Sequence, residues 1–294
     1  MHQVNYAMVF YNSCLLMQEK LEKVFIQLTE EGYVSLKDSL SISWLSYQNG
    51  VKEKPNGTSW APKRLFHLGD LVNLFYAVAV EVWLQRQWLE EDIEIYRALS
   101  EIGSTMSNDA TSMIIDLLTG TSGGLKIHNH NKKDWYEQRQ LLNNWLRELD
   151  WPELAGSNIC QKVWSEGTFG TERQFCGTHY QNRNRLSTGA MARFLHMIIT
   201  SDLYSPLICQ RIRSLFNLDL DIDASYYLEQ SNTSEQNPIT CLNIISSKNI
   251  TYHKLILART KRGILDIVVL FNENERISKD VDMISLLLID QLVS

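Results

Sequence analysis

Four groups of residues in this chain of 294 residues have the types and spacing to do chemistry. Asp70 and Asn73 stand in Phe66–Ala79, where an aromatic entry, a glycine and a polar residue lead into an apolar run. That is the outline of a helix start bearing a nucleophile, and the i, i+3 spacing puts both side chains on one helical face. Ser107-Asn108-Asp109 sets a hydroxyl, an amide and a carboxylate in a row before another helical pattern. Glu172, with Arg173 beside it, lies in a long aperiodic stretch, and Lys248 follows Ser246-Ser247 near the end of a strand-like run. Two carboxylates such as Asp70 and Glu172 work as an acid and a base when burial separates their pKa values. A carboxylate also serves as a nucleophile on some substrates, whereas the Asn73 amide cannot be a general base. No serine in the chain has a lysine three residues on; Thr251-Tyr-His-Lys254 has that spacing but reads as strand, where i and i+3 face opposite ways. G-x-G-x-x-G, Walker A, H-E-x-x-H and G-x-S-x-G motifs are all absent.

Two of these groups, and several other residues, also have a plain structural reading. Ser107 to Asp109 suits a helix cap. Glu172 and Arg173 read more readily as a solvated or structural ion pair with Arg173 as the partner. Asn182, Arg183 and Asn184 suit a loop pinned to the body by backbone hydrogen bonds. His128 and His130 have H-x-H spacing in an exposed polar loop without further ligand types near by, so no metal or cofactor is expected. Phe75, Tyr76, Trp83 and Trp88 read as core packing.

The elements that must position these residues are legible from periodicity and breakers. An amphipathic helix is expected within residues 4–30, carried by Leu15, Leu16, Leu21, Val24, Phe25 and Leu28 and closed by Gly32. Leu40 to Tyr47 reads as a strand turning at Asn49-Gly50, and Lys52–Lys63, with Pro55, Gly57 and Pro62, as a loop. Helices are expected at 72–88, 90–102, 109–118, 134–149, 189–200, capped by Thr188, and 205–215. Residues 156–187 lack periodicity and read as a long ordered loop. Strands at 242–246, 253–259 and 264–272 precede a closing helix at 278–292. Strands at both chain ends must meet to bury their faces, which gives an α/β fold with an all-α insert.

Composition bounds the partners. The chain is 44% hydrophobic and 21% charged with a net charge of −6, enough apolar residue for a large core and too acidic for a nucleic-acid surface. Five cysteines without C-x-x-C suit free thiols in a reducing compartment. Without a charged start leading into an apolar leader, and without a long apolar run, the expectation is a cytoplasmic protein with no membrane partner.

Five segments together carry a resemblance. They are Phe66–Tyr76; Ser107–Ser112 with Asp116-Leu-Leu-Thr-Gly-Thr121; Trp151-Pro152-Glu153-Leu154; Gly170-Thr171-Glu172-Arg173 with Asn182-Arg183-Asn184; and Thr188 opening Ala190-Met191-Ala192-Arg193. Over roughly Ser41 to Asp290 the chain resembles the class A β-lactamase and penicillin-binding-protein superfamily of serine acyl-enzymes, and more narrowly a cyanobacterial-type group of β-lactamase-like proteins. The resemblance implies an α+β sandwich: an antiparallel sheet flanked by N- and C-terminal helices, with an inserted all-α domain. The sheet domain would be 1–64 plus 240–294 and the insert 65–239, with a cleft between them. It further implies that Asp70 stands at the nucleophile position and Asn73 at the lysine position. Ser107, Asn108 and Asp109 match the loop that supplies the second hydroxyl, Glu172 the water-positioning carboxylate, and Lys248 the substrate-binding strand. Asn249-Ile250 replaces that strand's small, glycine-containing pair. Three functional readings follow. One is a pseudoenzyme that binds or regulates. Another is a repurposed enzyme using Asp70, Ser107, Glu172 and Lys248. The third is a retained β-lactamase, esterase or peptidase activity with Ser107 as nucleophile. The ligand would be a small molecule or peptide-like group in the cleft, and a protein partner is compatible with the first reading.

Overall fold

A computed structural model describes residues 10–33, 36–125, 129–164, 167–218, 240–248, 251–259, 263–273 and 278–293. The chain forms two compact units. The first is Met1–Phe66, Ser187–Thr200 and Leu218–Ser294; the second is His67–Leu186 and Ser201–Asn217. The sequence places residues 65–239 in one helical insert; in the structure Ser187–Thr200 groups with the sheet instead.

The strands are β1 (Asn12–Ser13), β2 (Leu40–Tyr47), β3 (Asn56–Trp60), β4 (Leu65–His67), β5 (Arg185–Ser187), β6 (Thr240–Lys248), β7 (Thr251–Arg259) and β8 (Leu265–Asn272). The helices are α1 (Leu15–Glu30), α2 (Leu36–Ser39), α3 (Asn73–Gln85), α4 (Ile93–Thr105), α5 (Asn108–Thr119), α6 (Asn129–Arg139), α7 (Leu141–Glu148), α8 (Gly170–Cys176), α9 (Thr188–Ile199), α10 (Pro206–Leu215) and α11 (Ser278–Val293). Among the described residues no helix is long and apolar enough to cross a membrane.

The first unit is a six-stranded sheet in the order β1-β3-β2-β8-β7-β6, antiparallel except for the β1–β3 pair. β2 and β8 pair along their full lengths, from Leu40 opposite Asn272 to Tyr47 opposite Leu265. Both strands are buried throughout because helices cover both faces. Leu40, Ile42 and Trp44 join α1 and α11 in one apolar core with Leu21, Phe25 and Ile284. The alternate residues turn to α9, as the two-residue period of a strand requires. There Ser41 Oγ lies 2.6 Å from Thr188 Oγ1, Ser43 Oγ donates to the same oxygen at 3.1 Å, and Tyr47 OH meets His196 Nδ1 at 2.8 Å.

α1 presents Met17, Leu21, Val24, Phe25 and Leu28 to that core at helical spacing. It ends in a left-handed turn: Gly32 has φ +96°, its N–H bonds Thr29 O, and Tyr33 N–H bonds Leu28 O at 2.9 Å. Its start departs from expectation. Residues 12–13 are strand because Asn12 and Cys14 donate to Pro55 O and Gly57 O, and that ladder stops the helix at Leu15. The expected loop at 52–63 likewise contains β3. Asn56-Gly-Thr-Ser-Trp60 has no apolar alternation; pairing with β2, not side-chain pattern, makes it a strand. The cap of α9 is Ser187 rather than Thr188, whose hydroxyl is taken up by Ser41 and Ser43.

Asp266 of β8 is buried among these strands, with its carboxylate accepting from Trp44 Nε1 at 3.0 Å. Burial pushes its pKa up from 3.8 to about 6, against the pull of bonds from Trp44 and Ser46 and of Lys20. The folded state therefore holds this proton more tightly than the unfolded chain does. The group's contribution to stability is full below about pH 4 and fades as pH rises through about 6. A shift of this size corresponds to about 3 kcal/mol. Asp266→Asn, which keeps an acceptor for Trp44, should gain stability relative to wild type as pH rises from 4 to 7. Urea denaturation across that range checks this, and parallel pH profiles would contradict it.

Candidate functional site

The second unit is built on α3. This helix is buried on every side from Asn73 to Trp83, so its polar groups must find partners inside the protein. Asn73 Oδ1 accepts from Thr111 Oγ1 of α5 at 3.0 Å, and its Nδ2 faces Met106 Sδ at 3.8 Å. Tyr76, one turn on, donates its hydroxyl to Gln161 O at 2.7 Å, with Asn184 Oδ1 at 3.3 Å. Burial pushes that phenol well above its ordinary pKa. Glu81 takes Arg211 of α10 at 2.9 Å, and Trp83 Nε1 donates to Leu118 O at the end of α5.

Asp70 lies in the 3-10 turn Gly69–Val72 that opens α3, and it is half-buried. Asn73 is fully buried. Ser107 caps α5, its Oγ accepting from Ala110 N–H at 3.3 Å while its carbonyl takes the Thr111 hydroxyl at 2.7 Å. Thr111 thus links Ser107 to Asn73 through one hydroxyl. Asp109 is exposed and borders a hollow of about 290 Å³ with Glu94, Arg97, Glu101 and Ser107. Lys248 is the last residue of β6, opposite Thr251, in the other unit; its side chain and Asn249-Ile250 lie outside the described residues. His128 also lies outside them, and His130 stands in α6. No group of three metal-ligating side chains occurs among the described residues.

Glu172 sits in α8, a seven-residue helix within the stretch expected to be irregular. Its partner is Arg139 at the end of α6, not the neighbouring Arg173. Arg139 Nη2 meets Glu172 Oε1 at 2.5 Å and Asp116 Oδ1 at 3.5 Å; Lys162 Nζ meets Asp116 Oδ2 at 2.6 Å. Arg139 and Glu172 are 0% and 1% exposed. Two cations and two carboxylates make the group neutral, which is the condition for burying it. Burial raises the Glu172 pKa; Arg139 and Lys162 oppose the rise and Asp116 adds to it. Arg139 also lies 4.6 Å over the Trp135 ring, while its Nε and Nη1 and Glu172 Oε2 have no hydrogen-bond partner among the described residues.

The flanking backbone holds α8 in place. Thr171 N–H donates to Gly124 O at 2.9 Å and Gly124 N–H to Thr171 Oγ1 at 3.0 Å. Gly170 has φ +52°, and a Cβ there would fall 1.9 Å from Gly124 O, so no other residue fits. The pinning expected of Asn182 to Asn184 is present: Asn182 Nδ2 donates to Phe175 O at 2.7 Å, Asn184 Nδ2 to Gln161 O at 2.8 Å, and Asn158 Nδ2 to the carbonyls of Asn182 and Arg183. The expected helix 134–149 is two, α6 and α7, meeting at Gln140. That break puts Arg139 at a helix end, facing inward.

Asn73, Ser107 and Thr111 are therefore brought together, and Glu172 with Arg139, Asp116 and Lys162. Thr111, Arg139 and Lys162 carried no signal in the sequence. A buried arginine in a helix as polar as Asn129–Arg139 has no periodic pattern to reveal it.

Solved structures of similar fold include β-lactamases and PBP-A. The chain is similar to a β-lactamase from Sphaerobacter thermophilus, at 13% identity and a TM-score of 0.60 over 93% of this chain and 95% of that one. A β-lactamase from Chitinophaga pinensis gives 12% and 0.58 over 94% and 98%. PBP-A, in its acyl-enzyme complex with penicillin G, gives 10% and 0.57 over 94% and 97%. No protein-family model and no curated sequence matches the chain. At these identities the likeness establishes the fold, which is β-lactamase-like, as the sequence resemblance implied.

Arg139→Met leaves Glu172 buried without a cation and should cost about 3–5 kcal/mol at neutral pH. The loss should shrink at pH 5, where the stranded carboxyl takes up a proton. Pairing it with Glu172→Leu should restore most of the stability. Chemical denaturation at pH 5 and 8 reads both effects; a loss below about 1 kcal/mol at pH 8 would contradict the pairing.

Proposed function

We propose that this is a β-lactamase-like protein without acyl-serine chemistry, a pseudoenzyme that binds a small-molecule or peptide-like ligand in a binding or regulatory role. The observation that carries this reading is Asn73. At the position matching the family's lysine stands a fully buried amide whose carbonyl oxygen is bonded to Thr111. A neutral amide cannot serve as a general base, and this one is engaged in joining α3 to α5. Three further residues support the same reading. Asp70 replaces the nucleophilic hydroxyl. The Ser107 hydroxyl oxygen serves as a helix cap. Glu172, matching the water-positioning carboxylate, is held by Arg139 in a buried pair. That pairing weighs against an Asp70–Glu172 acid and base couple, because one of the two carboxylates is already committed to a cation. Acyl-enzyme machinery works as a unit, and losing its nucleophile alone removes several orders of magnitude in rate.

Hydrolysis of a chromogenic cephalosporin and of an aryl ester tests the proposal. The wild-type chain should show no turnover above the buffer rate. Asp70→Ser with Asn73→Lys should raise turnover if the scaffold has kept its geometry. Wild-type turnover that survives Asn73→Ala would refute the pseudoenzyme reading.

A further inference from the structure

The segment after α8 is a basic stretch in an otherwise acidic chain. Residues 173–185 contain Arg173, His179, Arg183 and Arg185 and no carboxylate, against a net charge of −6 for the whole. All four are exposed, as is Tyr180. The tyrosine ring collects two of the arginines: the Arg173 guanidinium lies 4.4 Å from its centroid and that of Arg183 4.3 Å. Neither guanidinium has a carboxylate partner among the described residues. Arg185 is fixed near by through Nε to Gly156 O at 3.0 Å.

Two like charges on one aromatic ring repel each other and are held by the ring's electron-rich faces alone. Tyr180 also has φ +54°, a conformation that bulky side chains rarely adopt. Backbone bonds enforce it: Tyr180 N–H donates to Gly177 O, Arg183 N–H to Tyr180 O and Asn182 N–H to Cys176 O. The turn thus holds a strained residue in the position that presents the ring and both cations to solvent. Exposed tyrosine and arginine together are the residue types that dominate binding energy at protein interfaces.

We propose that Arg173, Tyr180 and Arg183 form a docking site for an acidic peptide segment of a partner protein. Charge complementarity selects the occupant. Carboxylates two residues apart on an extended peptide are about 7 Å apart, a spacing that guanidiniums sharing one ring can meet, each as a bidentate pair. The patch is too small for the six to ten phosphate contacts of a typical nucleic-acid site, and the acidic remainder of the chain repels a long polyanion. This inference does not depend on the loss of acyl-serine chemistry.

Fluorescence anisotropy of a labelled hexaglutamate peptide titrated with the full chain tests it, with an oligouridylate of twelve nucleotides as a second probe. Saturable, salt-weakened binding of the peptide is expected. Arg173→Ala with Arg183→Ala should weaken it at least tenfold and Tyr180→Ala at least threefold, while Arg97→Ala, at a remote exposed arginine, should leave it unchanged. Thermal melts confirm that each variant is folded. Absence of saturable binding, equal binding by the double variant, or tighter capture of the oligouridylate would overturn the proposal.

Discussion

The constraint on which the second unit depends is the complete burial of α3. A helix buried on every side from Asn73 to Trp83 must satisfy its polar groups from within, and those groups here tie it to its neighbours. Asn73 fixes α5, Tyr76 fixes the segments around Gln161 and Asn184, Glu81 fixes α10, and Trp83 fixes the end of α5. The helix is at once the hydrophobic centre of the unit and its hub of hydrogen bonds. A residue at such a hub is held by its partner, and its freedom to change protonation or position is small. This is why we propose a structural role for Asn73, although the sequence resemblance put it at the lysine position.

The same logic governs Glu172. A carboxylate removed from water is stable only beside a cation, and Arg139 supplies one at 2.5 Å. Asp116 and Lys162 complete a neutral set that joins α5, α6, α8 and the irregular segment around Lys162. Gly170 lets the α8 backbone approach Gly124 closely enough for the Thr171 bonds to form. The segment carrying Glu172 is thereby locked by charge, by backbone contact and by the asparagines that follow it. A carboxylate held this firmly suits a framework better than a step that must gain and lose a proton.

Much of the architecture was legible in the sequence. The runs of β2 and β8 marked strands at both chain ends that had to meet in one sheet, and the apolar spacing of α1 marked an amphipathic helix. The order of motifs around Phe66 specified the β-lactamase-like fold. Tertiary pairing decided what local pattern left open. β3 is a strand through its backbone bonds to β2, despite a Gly-Thr-Ser composition that signals a loop. Thr188 has the right type for a cap but lies where Ser41 and Ser43 need a partner, so Ser187 takes that role. Asp70, Asn73, Ser107 and Glu172 were proposed from the sequence by position, whereas Thr111 and Arg139, which hold Asn73 and Glu172, were not. Arg139 comes from a polar helix 33 residues away from Glu172, and no spacing in the sequence links the two.

The central claim is that the chain keeps a β-lactamase-like framework without an acylating group. Intact-mass measurement of the wild-type chain after prolonged incubation with penicillin G addresses it most directly. The account predicts an unmodified mass at every time point. A stable mass increase of one penicilloyl group, mapped by peptide sequencing to Ser107 or to any other side chain of the chain, would contradict it.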